Sequence, residues 1–494
     1  MKTKYNYKGL FLVAIITLVA CNSDDDAVVV EPPVVVVPGS ADFSNYVAVG
    51  NSLTAGYTDG ALFIAGQNNS FPNMLAGQFA LADGGSFTMP LMGDNLGGVL
   101  LAGTPILENR LFFNGAGPAR LPGAATTDIT NVLTGPFNNM GVPGAKSFHL
   151  VAPGYGNIAG VQAGAANPYF VRMASSPGTT VMADAMAQSP TFFTLWIGNN
   201  DVLSYATSGG TGVNQAGNLD PSTYGSSDIT DPNVFASVYS GLITTLTSGG
   251  AKGAVANIPD VTTIPFFTTV PYNPIPMDAS TATAVNAGYA AYNAGLALAL
   301  TGSQAADDER ALRTINFVEG QNAVVIIDES LTDLSEAGLP SIRQATESDF
   351  LLLTSSTLIG TLVGENPQLI NGVTVPLADE WVLSKSEVEE IKTAVDLYNM
   401  TIENAASDAG LAFVDANGLL NEVYEAGIPY DNGRFTLTSA LVFGGAFSLD
   451  GVHPTSRGYA FIANAFMEAI NETYGSNLPP VDILDFPNLF PPLP

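Results

Sequence analysis

The chain contains two histidines, His149 and His453, and they limit the chemistry that its hydroxyl groups can perform. A serine hydroxyl is a weak nucleophile until a neighbouring base, usually imidazole, takes its proton and a carboxylate fixes that imidazole in one tautomer. His453 lies in Ser448-Leu449-Asp450-Gly451-Val452-His453-Pro454, with Asp450 three residues upstream in a turn. That spacing lets the carboxylate reach Nδ1 and leaves Nε2 facing a serine. Ser52, in the stretch VAVGNSLTAGY from Val47 to Tyr57, stands where an apolar run gives way to a glycine-rich exit. Acyl transfer also needs donors aimed where a carbonyl oxygen becomes negative. Asn200, at the end of Leu195-Trp196-Ile197-Gly198-Asn199-Asn200-Asp201, offers a side-chain N–H, and Gly144, in the turn Asn139 to Ala145, offers a bare backbone N–H. Taken singly, each of these residues reads as a cap or a turn residue; their conjunction points to nucleophilic acyl transfer.

The remaining polar features carry less. His149 has no carboxylate near it in sequence and reads as structural, as does Asp201. An Asp-x-x-His pair can also ligate a metal, but no His, Cys or carboxylate cluster adds a third ligand, so no metal is expected. Gly154-Tyr155-Gly156 is half a phosphate loop without the rest of either fingerprint.

These residues need a scaffold. Strand-like runs recur at Tyr46–Val49, Phe192–Ile197, Ala254–Ile258, Val324–Ile327 and Leu411–Val414, with helical patterns between them. Pro72–Phe79 opens with proline at its first helical position. Ser384-Lys385-Ser386-Glu387 fits a capping box ahead of a stripe at Val388, Ile391, Val395, Tyr398 and Ile402, closed by Gly410. Gly458–Tyr474 is expected to turn Phe461, Ile462, Ala465, Phe466 and Ile470 inward. Strands alternating with helices predict a parallel α/β sheet covered on both faces. In such sheets ligands collect at the carboxyl ends of strands, where most of the candidate residues fall. Gly/Asn/Thr/Ala-rich stretches at 80–135, 205–232 and 262–380 read as insertions on a core spanning 43–475, followed by an irregular Pro-rich tail at 476–494.

The blocks Gly50-Asn51-Ser52-Leu53, Gly144, Gly198-Asn199-Asn200-Asp201 and Asp450-Gly451-Val452-His453 resemble, in order, the four signature blocks of the SGNH, or GDSL, hydrolases. The resemblance implies a flavodoxin-like three-layer α/β/α fold with no metal or organic cofactor. It implies Ser52 as nucleophile, His453 as base and Asp450 as its orienting partner, with the Ser52 N–H, the Gly144 N–H and Asn200 forming the oxyanion hole. Asn51 stands where that family usually has Asp, a residue that shapes the turn, and the chain is far longer than the minimal fold. No Gly-x-Ser-x-Gly elbow is present, which argues against the α/β-hydrolase fold.

The bulk properties narrow the partners. The chain of 494 residues carries 45 acidic against 15 basic side chains, a formal charge of −30, which argues against nucleic-acid binding because phosphate contacts need clustered Lys and Arg. At the N-terminus Lys2, Lys4 and Lys8 precede an apolar run, Leu10 to Ala20, of about 11 residues, too short to span a bilayer. Ending in Leu18-Val19-Ala20 before Cys21, it resembles a bacterial lipoprotein signal with its lipobox, so residues 1–20 are expected to be removed and Cys21 to carry lipid. Cys21 is the sole cysteine, which leaves no intrachain disulfide. Residues 21–42, with Asp24 to Asp26 and Pro-flanked valines, read as an extended tether, and the Asp run resembles a surface-export signal of some bacterial lipoproteins. The expectation is a serine esterase or lipase of the bacterial cell envelope, held to a membrane by lipid and acting on small-molecule or lipid esters. An O-acetylesterase acting on carbohydrate at the same site, and a non-catalytic binding lipoprotein on a hydrolase scaffold, are the rival readings.

Overall fold

The computed structural model describes residues 35–492. At its centre lie β1 (Tyr46–Gly50), β2 (Asn139–Gly141), β3 (Phe192–Trp196), β4 (Lys252–Ala256) and β5 (Ala412–Val414), in the spatial order β2-β1-β3-β4-β5. Every pairing is parallel, and the register sets Gly50 beside both Gly141 and Trp196. This is the strand order of flavodoxin-like doubly wound sheets, which open a crevice at the carboxyl ends where the winding direction reverses.

All five residues of β1 and of β3 are buried. Alternation divides them between two cores: Val47, Val49, Phe193 and Leu195 on one face, and Tyr46, Ala48, Phe192 and Trp196 on the other. Uncharged strands that are apolar on both sides are what a sheet covered on both faces requires. Seven helices concern the site: α1 (Ser52–Ala55), α2 (Phe71–Phe79), α3 (Asn200–Thr207), α4 (Pro232–Thr247), α5 (Lys385–Ala409), α6 (Ala416–Glu425) and α7 (Ser456–Tyr474). α3, α4 and α5 cover the first core through Val202, Phe235 and Tyr398; α2 and α7 cover the second through Phe71, Leu75, Phe466 and Ile470. The α5 capping box forms, Ser384 N–H donating to Glu387 at 2.6 Å. Its expected stripe is buried and Gly410 closes it in the left-handed conformation.

Four expectations are corrected. Val325–Ile327 is not in the central sheet but pairs antiparallel with Ile342–Gln344. The sheet's edge is instead Asn139–Gly141, three residues without a β-branched side chain, which pair with one neighbour only and so make no long apolar run. The stretch 262–380 holds more than loops: it includes the helix Ala279–Ala299 and builds its own core from Ile275, Phe317, Val325, Ile342 and Val373. Residues 36–42 are not a free tether, since Val37 N–H donates to Asn477 Oδ1 (2.6 Å) and Ser40 N–H to the Tyr474 carbonyl (2.8 Å), and Ala41 is buried. In α7 the core-facing residues are Tyr459, Ala463, Phe466, Met467 and Ile470, whereas Phe461, Ile462 and Ala465 are half-buried. The tail is irregular apart from one turn at Ile483–Asp485, yet it packs: Ile483 is buried and Phe490 meets Phe63 edge-on at 5.0 Å. The signal segment 1–20 and Cys21 lie outside the described residues.

The insertion core is tied by one cation. Arg343 donates through Nε to Asp328 (2.6 Å) and through its two terminal nitrogens to Asp349 (2.6 and 2.7 Å), and all three side chains are 4% exposed or less. Burial would raise the Asp349 carboxyl, but the Arg343 bonds and charge hold it below its ordinary value. Arg343→Ala leaves two buried carboxylates without their cation, so urea unfolding should show a loss of about 3–5 kcal/mol at neutral pH. Because a depressed carboxyl contributes stability above its unfolded pKa, ~3.9, and loses it on acidification, the difference between wild type and variant should shrink as the pH falls below that value.

Candidate active site

β1 ends at Gly50 and the chain folds back at once into α1. A Cβ on Gly50 would stand 2.2 Å from Thr54 Oγ1 and 2.4 Å from the Trp196 carbonyl oxygen, so only glycine admits so close a return. Asn51, fully buried, caps α1 by accepting from Leu53 N–H at 3.0 Å. It also donates to Asn199 Oδ1 at 3.1 Å, which an aspartate could not do, and so joins the β1 exit to the β3 exit. Ser52 is thereby the first residue of α1, where its backbone N–H has no intrahelical partner.

Ser52 Oγ lies 3.0 Å from His453 Nε2, and His453 Nδ1 lies 2.8 Å from Asp450 Oδ2. Asp450 Oδ1 accepts from the N–H groups of Val452 and His453, each at 2.9 Å, and from the Ser448 hydroxyl at 3.0 Å; Oδ2 also accepts from Gly60 N–H at 2.9 Å. Burial would raise this carboxyl, but the His453 charge and the hydrogen bonds from His453 and Val452 bring it down to about 2. An ionised Asp450 requires a hydrogen on Nδ1, which turns the Nε2 lone pair to Ser52.

A second carboxyl stands behind the first. Asp59, buried and left-handed (φ 53°), donates its N–H to Ser448 Oγ at 2.9 Å and accepts from Leu449 N–H at 3.2 Å. Burial first, and then the Asp450 charge, lift it to about 7 against the Leu449 hydrogen bond and the Arg110 charge. The Tyr57 ring sits 4.6 Å from the imidazole, centroid to centroid. Sequence reasoning assigned no part to Asp59, Gly60, Tyr57 or Ser448. Ser448 was accessible, two residues before Asp450 within the quoted block; Gly60 is 390 residues from its acceptor and no spacing announces it.

Asn200, 7% exposed, opens α3 and gives one amide hydrogen to the Ala145 carbonyl at 2.9 Å; its second has no partner among the described residues. Gly144, left-handed at φ 81°, precedes that carbonyl's residue, and its N–H is likewise without a partner there. Ser52, Asn199, Asn200 and His453 line one cavity of about 110 Å³; Gly144 lies outside its lining. The structure therefore brings Ser52, His453, Asp450 and Asn200 to one rim, with Gly144 joined to it through the Asn200–Ala145 bond.

The residues read as structural are occupied elsewhere. Asp201, fully buried, accepts from Ser147 N–H (2.8 Å) and Oγ (2.7 Å). His149 Nδ1 accepts from Lys146 N–H at 3.0 Å and its ring stacks on Tyr155 at 4.6 Å; burial, then the Lys146 charge, push it down to about 4. Among the described residues no group of three or more His, Cys, Asp or Glu is arranged to hold a metal ion, and no helix is long and apolar enough to cross a membrane.

No family model and no curated protein matches this chain. Among solved structures it is similar to an acetylxylan esterase from Geobacillus stearothermophilus, at a TM-score of 0.31 and 10% identity over 87% of this chain and 95% of that one. It is similar also to an α/β hydrolase from the Lake Arreo metagenome (TM-score 0.30, 11% identity, 87% and 96% covered) and to an extracellular lipase from Streptomyces rimosus (0.29, 12%, 87% and 99%). At scores and identities this low the likeness carries no argument about the chain's fold or activity.

The geometry can do one thing readily: Nε2 can take the Ser52 proton as Oγ attacks an electrophilic carbon, and return it to a leaving group. Asp450→Asn should keep the fold and lower kcat on any turned-over ester by roughly 10³–10⁴, because the imidazole loses its fixed tautomer. Asp450 itself stays charged down to about 2, so above that pH the acid limb of kcat/KM should have a slope of one, as expected for a single general base. A slope of two would reveal a second group that must be ionised.

Proposed function

We propose that the chain is a carboxylic ester hydrolase of the SGNH type, on a three-layer α/β/α domain, working through an acyl-Ser52 intermediate. The observation that carries this reading is the unbroken hydrogen-bonded chain Asp450–His453–Ser52, at 2.8 and 3.0 Å. Ser52 Oγ attacks the ester carbonyl carbon, the carbonyl electron pair moves onto oxygen, and the hydroxyl proton passes to His453 Nε2. Collapse of the intermediate breaks the bond to the alcohol, which leaves with that proton. Water then repeats the sequence at the acyl carbon, giving up one proton to His453, and releases the acid with Ser52 restored. Asp450 orients the imidazole and stabilises its cation. The Ser52 and Gly144 N–H groups and the free amide hydrogen of Asn200 hold the oxyanion. The resemblance of residues 1–21 to a lipoprotein signal supports a lipid-anchored protein of the bacterial envelope, and the formal charge of −30 speaks against a nucleic-acid partner.

A fluorophosphonate should label wild-type protein at Ser52, with a peptide mass shift locating it, and Ser52→Ala should abolish both labelling and ester turnover at unchanged thermal stability. Turnover that survives Ser52→Ala would overturn the assignment. Asn200→Ala removes one oxyanion donor and should lower kcat by roughly 10²–10³ with a much smaller change in KM.

A further inference from the structure

We propose that the cleft between α6 and α7 is an acyl-chain site, so that the ester attacked by Ser52 carries a medium-length, unbranched, apolar acyl group. This rests on the ester-hydrolase reading and names its substrate class. The cavity beside Ser52 and His453 passes over Trp196, at the carboxyl end of β3, and runs between the two helices. From α6 it is lined by Leu419 and Leu420, and from α7 by Phe461, Ile462 and Ala465, all half-buried.

Apolar helix stripes in a folded domain normally close on each other, because interiors leave few voids larger than a water molecule. Here Phe461, Ile462 and Ala465 pack on the sheet side against the second core, and their other side faces the void. Apolar voids stay dry and accept apolar guests. The polar side chains of the lining are Ser52, Asn199, Asn200 and His453, gathered at the reacting end, so a sugar placed in the cleft would leave its hydroxyls unpaired, which is costly. An apolar chain leaves nothing unpaired.

Length follows from volume. Roughly 10–15 Å³ of such space holds one water-sized group, so the 110 Å³ cavity takes roughly seven to eleven methylene-sized groups. The cleft suits the acyl part rather than the alcohol because only the acyl part stays bonded to Ser52 through both half-reactions. The alcohol has to leave midway and give up its place beside His453 to water.

The test uses the purified full-length protein and p-nitrophenyl esters from acetate to palmitate, with a parallel series of alkyl acetates that lengthens the alcohol. Across the acyl series kcat/KM should rise about two- to four-fold per added methylene, peak at roughly seven to eleven carbons, and then level or fall; the alcohol series should stay nearly flat. Ala465→Phe, which fills the cleft, should lower the octanoate-to-acetate ratio of kcat/KM at least ten-fold. Leu420→Ala, which widens it, should move the optimum to longer chains and serves if the first variant does not fold. A preference for acetate, no dependence on chain length, a rise confined to the alcohol series, or an unmoved optimum in the folded variants would overturn the acyl site while leaving the hydrolase reading standing. No hydrolysis of any ester together with no fluorophosphonate capture at Ser52 would overturn both.

Discussion

A carboxylate withdrawn from water must be neutralised or supplied with donors, and the rim of this sheet is organised around supplying Asp450. Its donors come from its own turn (Val452, His453 and Ser448) and from Gly60, just beyond α1. Each bond fixes a segment as well as satisfying a lone pair. The Gly60 bond holds the loop after α1 against the C-terminal turn, and Ser448 links Asp450 to the backbone of Asp59. Burial first, and then the Asp450 charge, lift Asp59 to about 7, while the His453 charge and hydrogen bonds hold Asp450 at about 2 against its own burial. Between those two values the charge that predominates is the one facing the imidazole.

Strand order makes the meeting possible. Ser52 and His453 are 401 residues apart, but β1 and β3 are neighbours in register, and the turn before α7 comes to rest above them. The elbow is tight because Gly50 lets α1 return against Trp196, and Asn51 links it laterally to Asn199. Much of the intervening chain is spent elsewhere. Part of the insertion at 262–380 closes on its own core beside the Arg343 ion pairs, while Ile264, Phe267 and Leu352 join the core on the first face of the sheet.

How far the sequence could be read follows from these contacts. Ser52, Asp450 and His453 were legible because the chemistry demands particular residue types, and with two histidines there was little to choose from. The long helices were legible where both ends were marked, as in α5 with Ser384, Glu387 and Gly410. β2 was not, because three residues at a sheet edge need no hydrophobic run, whereas Val325–Ile327 has such a run and uses it in a local hairpin. Asp24 to Asp26 and the valines beyond suggested a tether continuing to residue 42; from Val36 onward the chain instead packs beside Tyr474, an association over more than 400 residues that no local pattern encodes. Asp59 was missed for the same reason: its significance is its distance from Asp450, not its neighbours in sequence.

α7 shows how one misreading carries information. Its apolar residues span a wider arc than a core-facing helix needs, and the expected inward stripe mixed two faces. Met467 and Ile470 serve the core alone, whereas Phe461, Ile462 and Ala465, together with Phe466, pack on the core and also line the cavity that ends at Ser52. Apolar surface beyond what the core consumes is unfavourable unless something else covers it. An apolar guest in that cleft would also displace water from beside the imidazole, and a drier surrounding strengthens the Asp450–His453 hydrogen bond on which the proton transfer depends. Under the proposed mechanism, deacylating water would arrive from the side the chain does not fill. On the proposed hydrolase reading the cleft and the rim constrain each other: an acyl chain would lie along α7, and the alcohol and water would share the open side at His453.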